Sequence, residues 1–230
     1  MEEKLFVGGR TTKVAITGLG GIGKTQLMLE LVYRLRDRYK NCLVVWIPAT
    51  NTESLHQAYR DVAQQLQIPG SDDDKADAKK LVQRYLSKES AGRWLLIFDN
   101  ADDVTMWITK PGTESGSGRL IDYLPRSEQG CIVFTTRDRK TAVKLAQRNV
   151  VELPEMDEDV ATQLLQKYLI NPNLVNNRPD TAALLKELTY LPLAIVQAAA
   201  YINENRIAFV DYQSLLADQE EVVIDLLKAA

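Results

Sequence analysis

Eight residues near the front of the chain, Gly18-Leu19-Gly20-Gly21-Ile22-Gly23-Lys24-Thr25, fit the pattern G-x-x-x-x-G-K-[ST]. Their types suit the holding of phosphates. Polyphosphate oxygens need several donors converging on one small volume. Successive backbone N–H groups supply them only where the chain curls tightly with no Cβ in the way. The N-terminus of a following helix adds partial positive charge. The Lys24 ammonium then reaches the β- and γ-phosphates, and the Thr25 hydroxyl ligates Mg²⁺. The same glycines satisfy G-x-G-x-x-G, the dinucleotide fingerprint. That pattern needs an acid at the end of the second strand. The chain there reads VVWIPATN, with Asp37 before it and Glu53 after it. A dinucleotide fold would leave Lys24 and Thr25 without a task; the plainest alternative is an ordinary strand-to-helix turn.

Two further places carry chemistry. RWLLIFDN puts Asp99 at the tip of an apolar run, where a carboxylate helps hold Mg²⁺ through water. The plainer role is a helix-capping aspartate in Asp99-Asn100-Ala101-Asp102-Asp103. CIVFTTRD ends a second apolar run in Thr135, Thr136 and Arg137. Ligands of open α/β sheets bind at the carboxyl ends of strands. Arg137 is therefore placed to read a γ-phosphate bidentately; the alternative is a salt bridge with Asp138 or Glu128.

These residues need a sheet to hold them. Five short apolar runs read as strands: 13–17, 42–47, 94–99, 131–136 and 150–153. Most are continuous rather than alternating, the pattern of parallel strands covered on both faces. Helical periods lie between them, the first carrying Leu27, Leu31 and Leu35 with Met28 and Val32 alongside. Two more fit SLHQAYRDVAQQL and DAKKLVQRYLS, and 110–118 (KPGTESGSG) reads as a mobile loop. Strands alternating with helices predict an α/β fold, a doubly wound and mainly parallel five-stranded sheet. The run CLVVWI, between the two phosphate motifs, suggests the P-loop branch with added strands. After Pro154 only helical patterns follow, with start signals at Asp157, Pro179 and Pro192. The expected domains are a nucleotide-binding unit over 1–153 and a small helical bundle over 154–230.

Composition narrows the function. The 230 residues are 45% hydrophobic and 26% charged, which suits a packed soluble core. A net charge of −3 gives no electrostatic footprint for direct nucleic-acid contact or an anionic membrane. Cys42 and Cys131 open apolar runs and read as buried thiols in a reducing, cytoplasmic compartment. The single histidine, His56, nearly excludes histidine-based metal sites and reads as a surface residue. MEEKLF at the start is no signal peptide, and LPLAIVQAAAYI falls short of a membrane span.

Taken in order, GLGGIGKTQ, LLIFDNADD, IVFTTRD and YLPLA resemble the NB-ARC branch of the STAND P-loop NTPases. These form the central switch of NOD-like immune receptors and apoptotic adaptors, and the fungal members are similar in wording. The resemblance covers about residues 13 to 205. It implies an adenine nucleotide, ADP or ATP, with Mg²⁺. Gly18, Gly20, Gly21, Ile22, Gly23, Lys24, Thr25 and Gln26 would surround the phosphates, and Thr25 and Asp99 would take the metal. Arg137 would sense the terminal phosphate, and Pro192 would pack against the adenine.

Four departures stand out. Asn100 occupies the place of the family's second acid, and an amide cannot act as a general base; Asp102 or Asp103 would have to substitute, or hydrolysis is very slow. Tyr190 stands where the Leu-Pro-Leu-Ala motif usually has Gly. Phe6–Arg10 resembles the family's adenine-side Gly-Arg element, with Val7 and Arg10, but lies close to the phosphate loop. The chain also ends before the family's winged-helix part, as a fragment would. The expected function is a nucleotide switch, monomeric as this piece and self-associating in the activated full-length protein, with slow or no hydrolysis. The alternative is a P-loop ATPase or kinase with true turnover, for which the loop at 110–118 makes a poor lid. A nucleic-acid-dependent motor or regulator is a third class, disfavoured by the acidic balance.

Overall fold

The computed structural model describes residues 11–73, 75–109 and 119–228, and side chains as far as 218. The Phe6–Arg10 element and the loop at 110–118 lie outside the described residues. Internal contacts divide the chain into two compact units. One comprises Met1–Leu19 and Lys24–Leu153; the other comprises Pro154–Ala230 together with Gly20–Gly23.

The first unit holds five strands, β1 (Thr12–Thr17), β2 (Leu43–Pro48), β3 (Trp94–Asp99), β4 (Gly130–Thr136) and β5 (Val150–Glu152). They form one sheet in the order β2-β3-β4-β1-β5, every pair parallel. The continuous apolar runs follow from this placement. Every residue of β3 and β4 is buried, since both strands are interior and both faces are covered. Alternate residues serve opposite faces. Leu95, Ile97, Cys131 and Val133 pack with Met28, Leu31 and Leu35 of α1 (Lys24–Arg38). Leu96, Phe98, Ile132 and Phe134 face α2 (Thr52–Gln65), α3 (Ala78–Leu86), α4 (Val104–Ile108) and α5 (Arg139–Ala146). Phe98 and Phe134 stack at 5.4 Å, and the Trp107 ring stands edge-on to both.

The register places the chemistry. Ile16 pairs with Thr135 and Thr17 with Thr136, while Phe98 pairs with Phe134. The carboxyl ends of β1, β3 and β4 therefore finish side by side, β1 running into the glycine loop. Short polar caps start the helices that follow. Asn51 accepts from the Ser54 N–H for α2, Asp103 from Thr105 and Met106 for α4, and Asp138 from Lys140 and Thr141 for α5. Helices α4 and α5 had no clear sequence signal: five and eight residues are too few to display a period.

The second unit contains α6 (Glu158–Tyr168), α7 (Arg178–Glu187), α8 (Pro192–Asn205) and α9 (Phe209–Lys228). Ala161, Leu165, Leu184, Leu185, Ile195, Ala198 and Ile202 make its core. Asp157 caps α6, and Pro179 and Pro192 occupy the first turns of α7 and α8, where a missing N–H costs nothing. Among the described residues no helix is long and apolar enough to cross a membrane.

Candidate functional site

The loop between β1 and α1 bends through the left-handed region at Gly21 (φ 77°) and Gly23 (φ 95°). A side chain is disfavoured there, so the sequence concentrates glycine where the turn needs it. Lys24 is the first residue of α1. Its Nζ folds back and donates to the Gly18 and Leu19 carbonyls at 2.8 and 2.9 Å. Burial pulls its ammonium below the ordinary lysine range, and the charges of Asp102, Arg137 and Asp99 act on it as well. Those four side chains share one neighbourhood at the carboxyl edge of the sheet. Ile22 is buried, while Gln26 is exposed on the first turn of α1.

Asp99 is only 7% exposed and sits at the tip of β3. Thr25 Oγ1 donates to its carboxylate, 3.1 Å from both oxygens, and Thr135 Oγ1 donates to Oδ1 at 2.5 Å. A helix-capping aspartate would spend its oxygens on backbone N–H groups; this one faces two hydroxyls. A buried carboxylate beside the hydroxyl that follows the glycine loop offers oxygen donors alone, the kind Mg²⁺ takes.

The turn after Asp99 is stitched to β4. Asn100 adopts φ 60°, its N–H donates to Thr135 Oγ1, and the Ala101 N–H donates to the Thr135 carbonyl. Asp102 Oδ1 accepts from Thr136 Oγ1 at 3.0 Å and from the Arg137 N–H at 2.7 Å. Its Oδ2 lies 3.4 Å from Arg137 Nε. Arg137 thus pairs with neither Asp138, which caps α5, nor Glu128, the two partners its sequence neighbours suggested. Asp102, named from sequence as a substitute base, has both oxygens engaged, and Asp103 is spent on capping α4.

Sequence reasoning singled out Asp99, Thr25 and Arg137 but gave no role to Thr135 and Thr136. Each of these hydroxyls is matched to one carboxylate of the β3 turn. The available signal was a pair of polar residues ending a wholly apolar strand. Pro192 opens α8. Ahead of it Thr189 and Tyr190 lie in the left-handed region at φ 51° and 53°. Tyr190 thereby occupies a conformation that glycine adopts freely.

Comparison with known proteins agrees with this architecture. A family model described as the NB-ARC domain matches residues 1–174. A nucleotide-binding leucine-rich repeat (NLR)-like protein of Hyaloscypha variabilis is 46% identical over 223 residues, covering 94% of this chain and 22% of that protein. A probable disease resistance protein of Arabidopsis thaliana is 23% identical over 189 residues, covering 79% of this chain and 25% of that one. The chain therefore spans about a fifth to a quarter of the length of these curated relatives. Among solved structures, Drosophila ORC bound to DNA overlays with a TM-score of 0.62 at 11% identity, covering 91% of this chain and 55% of that one. At that identity the likeness is one of fold. With the family model spanning the whole sheet and the first of the bundle's helices, the chain belongs to the NB-ARC domain family.

Proposed function

We propose that this chain is the nucleotide-operated switch module of a NOD-like receptor of STAND type, binding ADP or ATP with Mg²⁺. The observation that carries the reading is the pairing of Thr25 with the buried Asp99, which joins the phosphate loop to the tip of β3.

The residues divide the work. The backbone N–H groups from Gly18 to Thr25 cradle the phosphates at the N-terminus of α1. Lys24 exchanges its two loop carbonyls for phosphate oxygens. Thr25 and Asp99 hold Mg²⁺, which when bound neutralises phosphate charge. Arg137 reads the terminal phosphate, and Pro192 packs against the adenine. Hydrolysis is slow or absent, because Asn100 offers an amide where a general base is needed. Exchange of ADP for ATP then controls opening and self-association of the full-length protein in the cytoplasm, and this piece alone is monomeric. The nucleotide moves that balance only through its different affinities for the two states.

Thermal unfolding with ADP or ATP and Mg²⁺ tests the reading. Each nucleotide should raise the midpoint, and Lys24→Ala should abolish the rise. An unchanged midpoint with both nucleotides, or a full rise in the Lys24 variant, would refute the assigned site.

A further inference from the structure

We infer that Asp102 is a positioning residue for Arg137: it holds the guanidinium by its inner nitrogen and so sets the preference of the site for a triphosphate over a diphosphate. The inference rests on the nucleotide reading above and names the residue through which that site tells its ligands apart.

Two contacts fix the carboxylate independently of the guanidinium. Thr136 Oγ1 and the Arg137 N–H both converge on Oδ1, at 3.0 and 2.7 Å. Thr136 is fully buried at the end of β4, so this anchor belongs to the rigid part of the sheet. Oδ2 remains to face Arg137, and the ion pair is made at Nε, 3.4 Å away. An ion pair made at Nε leaves the outer edge of the planar group, with its terminal N–H donors, as the edge a phosphate oxygen can meet.

The energetic argument concerns rotamers rather than folding. The Arg137 side chain is 67% exposed and that of Asp102 37%. A pair so exposed adds little to stability. An arginine on an open surface, however, loses rotamer freedom whenever a ligand fixes it, and a tether that has already restricted it reduces that loss. The gain falls only on a ligand that reaches Arg137. The same engagement argues against Asp102 as a general base. A base needs a lone pair aimed at water, and both oxygens of this carboxylate already face donors.

Isothermal titration of ADP and of a non-hydrolysable ATP analogue, each with Mg²⁺, tests the inference on the parent, Asp102→Ala, Asp102→Asn, Arg137→Ala and the Asp102→Ala/Arg137→Ala double variant. The readout is the ratio of the two dissociation constants. Asp102→Ala should reduce the preference for the triphosphate about fivefold, toward the value of Arg137→Ala. Asp102→Asn keeps an acceptor for Thr136 and the main chain while losing the charge, and should fall between. On the Arg137→Ala background, Asp102→Ala should leave the ratio unchanged. Equal weakening of both ligands, an undiminished effect without Arg137, a preference that rises when Asp102 is removed, or a parent that binds both ligands equally would each overturn it. If the parent binds neither ligand, the nucleotide reading itself fails. If it binds and discriminates but the ratio ignores Asp102, only this inference fails.

Discussion

Single residues in this chain owe their behaviour to what surrounds them, and the two cysteines illustrate it. Both begin apolar runs, yet Cys131 is buried at the interior strand β4 while Cys42 is half-buried. Burial, with a smaller contribution from Cys42, pushes the Cys131 thiol up to about 12. The nucleophile in alkylation is the thiolate. At pH 8 the native protein should therefore leave Cys131 unmodified by iodoacetamide, and unfolding in guanidinium should expose it. Peptide mass spectrometry decides the matter: prompt labelling of native Cys131 would contradict its placement. Lys24 is a second example. Its motif announced a phosphate ligand, but its bonds to the Gly18 and Leu19 carbonyls follow from a fold-back that spacing does not encode. Asp102 is a third. An acid three positions beyond Asp99 reads equally as base, cap or ion-pair partner until its neighbours are known.

At the level of elements, the sheet depends on close complementarity between its interior strands. Trp94 and Gly130 are register partners at the start of β3 and β4. The Trp94 indole is fully buried and donates through Nε1 to the Leu86 carbonyl at 2.8 Å. A Cβ at Gly130 would meet its ring atoms at 2.1 to 2.5 Å. Gly130→Ala should thus cost about 1–3 kcal/mol or more through overpacking, read as a lower urea midpoint; an unchanged midpoint would mean the ring has room to move. The strands themselves were legible, because a parallel strand buried on both faces must be apolar throughout. Helix α2 was legible in type but begins at Thr52, since the Asn51 side chain starts it earlier than the apolar period does. The short α4 and α5 were not legible, being defined by the Asp103 and Asp138 caps more than by any repeat.

For the whole molecule, ligand linkage supplies the measurable quantity. ADP at 100 times its Kd, with no affinity for the unfolded chain, should add ~2.7 kcal/mol to stability. Steady-state phosphate release should stay below ~1 s⁻¹, the lower end of ordinary enzyme turnover. Faster release would favour the ATPase alternative and would require a general base, which the Asn100 amide cannot supply. The gain with ADP is expected of the chain carrying its intact phosphate loop and should vanish in Lys24→Ala, whereas slow turnover is expected from the β3 turn, where Asn100 stands.

The sequence by itself determined the longer elements, the glycine loop with its lysine and threonine, and, through four short motifs taken in order, the family, since each period and each motif depends on residues close together along the chain. Local sterics, hydrophobic period and a short motif need no knowledge of distant neighbours. Tertiary structure alone decided that β4 lies between β3 and β1, and with that order came the long-range contacts that assemble the site. Thr135 meets Asp99 across 36 positions and Arg137 meets Asp102 across 35. Partners so far apart are chosen by strand adjacency and register, which one chain read in order does not contain.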